Sequence, residues 1–531
     1  MLLLNTLLSL RQHGSDSCRT GAAMRLLVVC SVVLLAQACS AFVLHSHAAG
    51  AGESYSAAPK RALGGLGGGL LKTGPWAAGA LALAARASAA TAGGGGASAA
   101  TAGGGGGGGG GGETNEVMET INHIRQKRLG GGEIVVSEIG LGTQRWVSED
   151  LNAPSEEECF ALMDEAVLNS GVSLIDTASQ YPIPSSPKRP EGHGEEVIGR
   201  WMKSRNARDK CKIATKIVGS SHVNRKTIVA DCDSSLKRLQ TDHLDIYLLH
   251  WPARYSPASN WGMSLKYHKD AEEYYEGNAS FEEIVSSMGA LIKAGKIRGY
   301  GFCNDNCFGL TAAHYTAKML GVDPPCVMQG DYSLIDRKFE ENGLAEASSS
   351  IHLNAGWMAY NVLAGGQLTG KYLTQDASGS GSGPGSVASF LKDKIFSKRN
   401  GEWTDPSMAT SFRGRFDERG WGRTLYRYRS GPALEATKSY AQLAKRFGLS
   451  LTEMAIRWTL QQPQVTTSLL GVSNMKQLKE NLSYAANKEP LPEELMVLID
   501  RVHMVNRNPI YASTGPYADN PYTGLIGERI P

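Results

Sequence analysis

An α/β chain that closes eight parallel strands into a (β/α)8 TIM barrel is the fold this 531-residue sequence predicts. Eight short apolar, β-branched runs recur between residues 138 and 472, and helical patterns separate them. No GxGxxG opens a helix after the first run, which counts against the doubly wound open sheet as the alternative. A short N-terminal hairpin should precede the barrel, and a long loop should follow its seventh strand.

In chain order, the first 125 residues read as address and tether. Met24-Arg25 precedes an apolar run, Leu26–Ala36, and small residues then lead to Ala41. A charged start, a short apolar stretch and a small-residue exit form a secretory signal pattern, too short to remain as a membrane span of the mature chain. Translation could begin at Met1 or Met24, and Met24 gives the cleaner signal. Phe42–Gly112 carries Glu53 as its one acid, against Lys60, Arg61, Lys72 and Arg86, which is transit-peptide composition. Residues 1–41 are therefore expected to be signal-like, and 42–125 transit-like, ending in a Gly-rich tether. Together they resemble the bipartite presequence of algae with complex plastids, with a secreted or cytoplasmic location as the alternatives. ASAATAGGGG occurs at 87–96 and again at 97–106, a composition with no apolar surface to offset chain entropy.

The barrel is expected over 126–510, with a tail at 511–531. Ile134–Val136, after three glycines, suggests the hairpin. Strands follow at Glu138–Gln144, Val172–Ala178, Lys212–Ile217, Leu244–Trp251, Arg298–Asn304, Cys326–Ser333, Gly356–Val362 and Thr466–Val472. Helices are expected at Ser155–Asn169, Glu195–Ser204, Arg225–Leu239, Phe281–Ala294, Cys307–Leu320, Phe339–Ser348 and Ala433–Phe447. Ser155 and Glu158 have capping-box spacing. Gln375–Gly431 interrupts the rhythm after strand seven, as a long loop that shapes a site.

Composition narrows the function classes. A net charge of +3 with scattered basic residues gives no footing for nucleic acid. Nine cysteines, three of them in the first 39 residues, lack zinc-ligand spacing, so free thiols and no metal are expected. Asn278-Ala-Ser would accept a glycan only in the secretory path. Nothing in the sequence specifies an oligomeric state.

A barrel gathers its site at the C-terminal ends of its strands. Strand two ends at Asp176 and leads to Tyr181, strand three ends at Lys216, and strand four at His250. These four suit reduction of a carbonyl. A phenol with a pKa near ~10 is a reluctant proton donor at neutral pH. A cationic Lys216 beside it would lower that pKa, Asp176 would hold the ammonium, and His250 would orient the substrate oxygen.

Further stretches complete a pattern: IGLGTQRW (139–146), LIDTASQY (174–181), ATKI (214–217), LDIYLLHWP (244–252), IRGYGFCND (297–305), VMQGDYSLIDR (327–337), AYNVLAGGQLTGKY (359–372) and TSLLGVSNMKQLKENL (467–482). Over roughly residues 128–510 the chain resembles the aldo-keto reductases. The resemblance implies Tyr181 as the acid/base, with Asp176, Lys216 and His250 completing a tetrad. It also implies a nicotinamide dinucleotide, usually NADPH, with NADH less favoured. Asn304 and Gln329 would bind the carboxamide, and Tyr360 would stack on the nicotinamide. Leu363, Gly365 and Lys371 would cradle the pyrophosphate, and Gly471, Ser473, Gln477, Glu480 and Asn481 would enclose the adenosine phosphate. Trp146 and Trp251 stand where substrate-pocket aromatics belong. The chain departs from the family pattern at Cys303, where Ser is usual, and at Asn361-Val362, where Ser-Pro is usual. The implied partner is a small-molecule carbonyl compound. A regulatory subunit resembling potassium-channel β subunits is the other reading, because those keep the barrel and the tetrad.

Overall fold

The computed structural model describes residues 112–511 except 151, 220–222, 255, 257–278, 374–397, 400–401, 404–427, 429 and 508. The targeting segment up to residue 111, nearly all of Gln375–Gly431, Asn278 and the tail from residue 512 lie outside the described residues.

A three-stranded antiparallel sheet comes first: β1 (Val117–Ile121), β2 (Ile124–Arg128) and β3 (Val135–Ser137). The turn between β1 and β2 is Asn122-His123, both left-handed (φ 47° and 68°), the backbone that matches the twist of a two-residue hairpin. The folded region thus starts before residue 126. Every residue of β1 is exposed, so it lacks the apolar alternation that marks a half-buried strand.

Eight parallel strands then close a barrel in chain order. They are β4 (Ile139–Gly142), β5 (Leu174–Asp176), β6 (Lys212–Ile217), β7 (Leu244–Leu249), β8 (Ile297–Cys303), β9 (Val327–Asp331), β10 (Gly356–Tyr360) and β11 (Thr467–Leu470). Each lies inside a predicted strand or overlaps it within a residue. Register carries β5 to β6 through Asp176 opposite Ala214, and β6 to β7 through Lys216 opposite Leu248. A buried cluster of Leu174, Ala214, Ile246, Leu248, Val327, Met358 and Leu469 includes Leu129, just past β2, and Val136 of β3, which close one end of the barrel.

The outer helices include α1 (Glu156–Met163), α2 (His193–Arg205), α3 (Arg225–Leu239), α4 (Phe281–Lys293) and α5 (Cys307–Leu320). Ser155 caps α1 through both bonds of the capping box. The predicted helix Phe339–Ser348 is instead two short turns, α6 (Lys338–Glu341) and α7 (Leu344–Ser348). Gly343, left-handed at φ 79°, breaks them apart. After α8 (Gly431–Arg446) come α9 (Leu451–Gln461), α10 (Met475–Ala486) and α11 (Glu493–Val505). Trp458 of α9 stacks on Tyr332 at 5.2 Å, and Tyr332 meets Trp357 at 5.0 Å, fixing α9 against β9 and β10. The six cysteines within the described residues are free thiols.

Lys127 of β2 is 6% exposed, and its Nζ donates to Val465 O at 3.0 Å. Burial pulls its pKa from 10.5 down to about 8. Between those values the unfolded chain binds more protons than the folded one, so the cost is full below pH 8 and is relieved as pH rises. Lys127→Met should therefore stabilise the fold at neutral pH by roughly 1–2 kcal/mol, net of the lost hydrogen bond. The gain should shrink in alkali. Guanidinium unfolding at both pH values checks this, and an equal gain at both would sink it.

Candidate active site

Strand ends gather polar residues at one rim of the barrel. Asp176 closes β5, Lys216 sits one residue before the end of β6, and His250 and Asn304 follow β7 and β8 directly. Gln329 lies within β9, and Tyr360 ends β10. Thr143 fixes the Asp176 backbone, donating to its carbonyl through N (3.1 Å) and Oγ1 (3.0 Å).

Lys216 has no exposed surface. Its Nζ donates to both Asp176 carboxylate oxygens at 2.8 Å and to Thr177 O at 2.7 Å. Burial alone would lower its pKa, but Asp176 and the neighbouring phenol hold the ammonium above its ordinary value. A cation is thereby kept in a water-free place.

Tyr181 is held through its carbonyl, which accepts from Gly192 N (3.0 Å) and Gly194 N (3.2 Å) at the start of α2. Its ring centroid lies 5.1 Å from Lys216 Nζ, and His250 packs edge-on against it at 5.9 Å. Burial pushes the Tyr181 phenol up to about 12. Lys216 pulls in the predicted direction, but desolvation is the larger effect. Burial, reinforced by Lys216, keeps His250 well below the usual imidazole range, so this ring is neutral.

A cleft of about 1010 Å³ opens over these groups. Sites for drug-sized ligands hold roughly 300–1,000 Å³, so this one has room for a dinucleotide. Every site residue named from the sequence lines it except Lys216, which lies buried behind Asp176 and Tyr181. Trp251 stacks on His250 at 6.0 Å. Trp146 is only 2% exposed, and its indole N–H bonds Val472 O at 3.1 Å, so it packs as wall as well as lining.

The amides expected to meet a carboxamide are joined to one another. Gln329 Nε2 donates to Asp176 Oδ1 at 2.8 Å, and Cys303 Sγ lies 3.3 Å from both Gln329 Oε1 and Asn304 Nδ2. Asn304, left-handed at φ 59°, donates to His250 O at 3.0 Å and accepts from Tyr360 Oη at 2.5 Å. Cys303 thus bridges the two amides, a connection that the Ser-to-Cys departure alone did not suggest.

Farther along, Ala364–Thr369 forms a 3-10 turn in which Gly365 (φ 65°) and Gly366 (φ 101°) are left-handed. A Cβ on Gly366 would stand 3.0 Å from Lys371 Cε. Beyond it, Asn474 caps α10 by accepting from Gln477 N, and Gln477 Oε1 accepts from Ser473 N at 2.9 Å. Lys476 lines the cleft, whereas Lys479 reaches Glu165 at 4.0 Å on the outer surface. Gln144, Arg145, Gly366 and Thr452 also line the cleft and were missed. Gln144 and Arg145 belong to IGLGTQRW and Gly366 to AYNVLAGGQLTGKY, whereas Thr452 stands on α9, a helix without an expected counterpart. Among the described residues, no group of three or more His, Cys, Asp or Glu could hold a metal ion.

The Aldo/keto reductase family model matches residues 138–503. The chain is 32% identical to Protein tas of Escherichia coli (strain K12) over 396 residues, covering 72% of this chain and 98% of that protein. It is 29% identical to aldo-keto reductase YhdN of Bacillus subtilis (strain 168), over 65% of this chain and 84% of that one. An aldo-keto reductase of Babesia bovis is 29% identical, over 57% of this chain and 98% of its own length. A barrel with these strand ends, matched by the family model over most of its length, belongs to the aldo/keto reductase family and is an oxidoreductase enzyme.

Proposed function

We propose that the protein reduces an aldehyde or ketone to the alcohol with NADPH, and that Tyr181 supplies the proton. The observation that carries this reading is the burial of Tyr181 5.1 Å from an ammonium that Asp176 grips through both oxygens. A nicotinamide dinucleotide held in the cleft would supply a hydride to the carbonyl carbon. The chain's own residues do the rest. Tyr181 gives its phenolic proton to the carbonyl oxygen, and Lys216 stabilises the phenolate left behind. Neutral His250 orients the oxygen. Asn304, Gln329 and Tyr360 offer amides and a ring for the nicotinamide end, and Gly365 and Gly366 permit close backbone approach of a pyrophosphate. Lys476, beside the start of α10, supports a 2′-phosphate and so NADPH over NADH.

The full chain, mixed with a panel of aldehydes and ketones, should oxidise NADPH faster than NADH and well above a Tyr181→Phe control. Tight NADPH binding with no turnover above that control would defeat the enzyme reading and favour a regulatory subunit. The pH profile follows from the two shifted groups. Reduction should be flat between roughly pH 6 and 9, since His250 stays neutral and Tyr181 stays protonated there. Activity should fall only toward about 12, where the phenol ionises. An inflection near neutrality in a pH–rate profile would show that His250 titrates. The presequence composition supports delivery to a plastid. A fluorescent protein fused behind residues 1–111 tests that, and a cytosolic or secreted signal counts against it.

A further inference from the structure

The pair Asn361-Val362 departs from the family's Ser-Pro, and Tyr428 is the described residue that follows 404–427 in the long segment beyond β10. The fold brings the two together. Asn361 Nδ2 donates to Asp331 Oδ2 and to Tyr428 Oη, each at 3.2 Å, and Tyr428 Oη donates to Asp331 Oδ2. Asp331 and Tyr428 are buried, so little water competes for these bonds. Asp331 is also the register partner of Tyr360, the last residue of β10.

Asn361 is left-handed at φ 55°, and its carbonyl accepts from Ala364 N at 2.6 Å. Ala364 is left-handed too (φ 49°), ahead of Gly365 and Gly366. The turn that leads into the glycine cradle therefore begins with non-glycine residues in a sparsely populated conformation. A proline at 362 would stiffen this turn through its ring. Val362 has no such ring, and the three-way side-chain contact supplies a constraint in its place.

We propose that Tyr428 is a positioning residue for the nicotinamide cofactor. Through Asp331 and Asn361 it holds residues 361–371 in the shape that presents Tyr360 and the Gly365 backbone to the cleft. This rests on the cofactor reading given above. It assigns a task to a tyrosine that lies some 67 residues beyond Asn361 in sequence.

Tyr428→Phe keeps the ring and removes one hydroxyl. In the cofactor-free full-length chain, amide exchange at Ala364, Gly366 and Leu368, whose N–H groups bond within this loop, should accelerate by about tenfold. Strands β4–β8 should exchange as before. The Kd for NADPH should rise about fivefold to tenfold, the worth of one hydrogen bond, while kcat at saturating cofactor stays within about twofold. In an Asn361→Gly background, where the backbone tolerates the conformation and the amide is gone, Tyr428→Phe should add no further loss. Unchanged exchange in the loop overturns the proposal, as does acceleration spread over the whole barrel, which marks a merely structural role. Additive losses in the double variant overturn the three-way contact. If the wild-type chain binds no NADPH, the functional reading fails by itself, and the exchange rates still decide whether Tyr428 holds the loop.

Discussion

Tyr181→Phe should lower carbonyl reduction by roughly 10²–10⁴-fold while leaving NADPH affinity within about twofold. The substitution removes one oxygen from a ring that is already 6% exposed, so packing against His250 and the Lys216 ammonium survives. What disappears is the group that can donate to the carbonyl oxygen as the hydride arrives. The loss should appear in kcat more than in KM, since the interaction belongs to the transition state. Steady-state kinetics together with a fluorescence titration of NADPH separate the two. A variant that retains more than about a tenth of the wild-type rate would remove Tyr181 from the proton-transfer step.

Lys216→Met should fail in two ways at once. The ammonium that stabilises a Tyr181 phenolate is gone, so reduction should fall by a factor comparable to that of Tyr181→Phe. The Asp176 carboxylate is then left in a dry interior with Gln329 Nε2 as its hydrogen-bonding partner, 2.8 Å away. Breaking one side of a buried ion pair typically costs about 3–5 kcal/mol. Lys216→Met/Asp176→Asn restores neutrality and leaves Gln329 an acceptor, so it should recover most of the stability and none of the activity. Denaturant unfolding of both variants beside their kinetics makes the comparison. A single variant as stable as wild type would mean that the pair is not ionised in the fold.

Much of the molecule was legible because barrel physics writes itself into the sequence. A strand buried on both faces is a short and mostly apolar run, as Leu244–Leu249 is apart from Asp245, and polar side chains that serve a site collect at or just past its C-terminal end. His250, Asp176 and Lys216 stood out for that reason. Helix caps such as Ser155 were equally plain. Less legible were β1, whose residues are all exposed, and the break at Gly343, where Phe339 and Leu344 belong to two separate short turns. Helix α9 went unplaced because a rhythm of one helix per strand left no room for it, although Ser450 three residues before Glu453 offered a capping signal. The side-chain wiring of the site was not readable at all. That Gln329 reaches Asp176, that Cys303 joins two amides and that Tyr428 returns to Asn361 depend on rotamers and on neighbours distant in sequence. The pKa of Tyr181 belongs with these: the sign of the Lys216 effect could be foreseen, but the depth of burial that outweighs it could not.

The three-stranded sheet closing one end of the barrel bears on how protons come and go. Leu129 and Val136 lie within the same wholly buried layer as Leu174, Ala214 and Ile246, so among the described residues this layer forms the bottom of a blind well. Tyr181 meets solvent by way of the cleft that a ligand would fill. On the mechanism proposed above, a phenol that surrenders its proton beneath a bound molecule is reprotonated from solvent when that molecule leaves. Each occupancy of the well, on that proposed mechanism, draws on a proton that Tyr181 carried in beforehand.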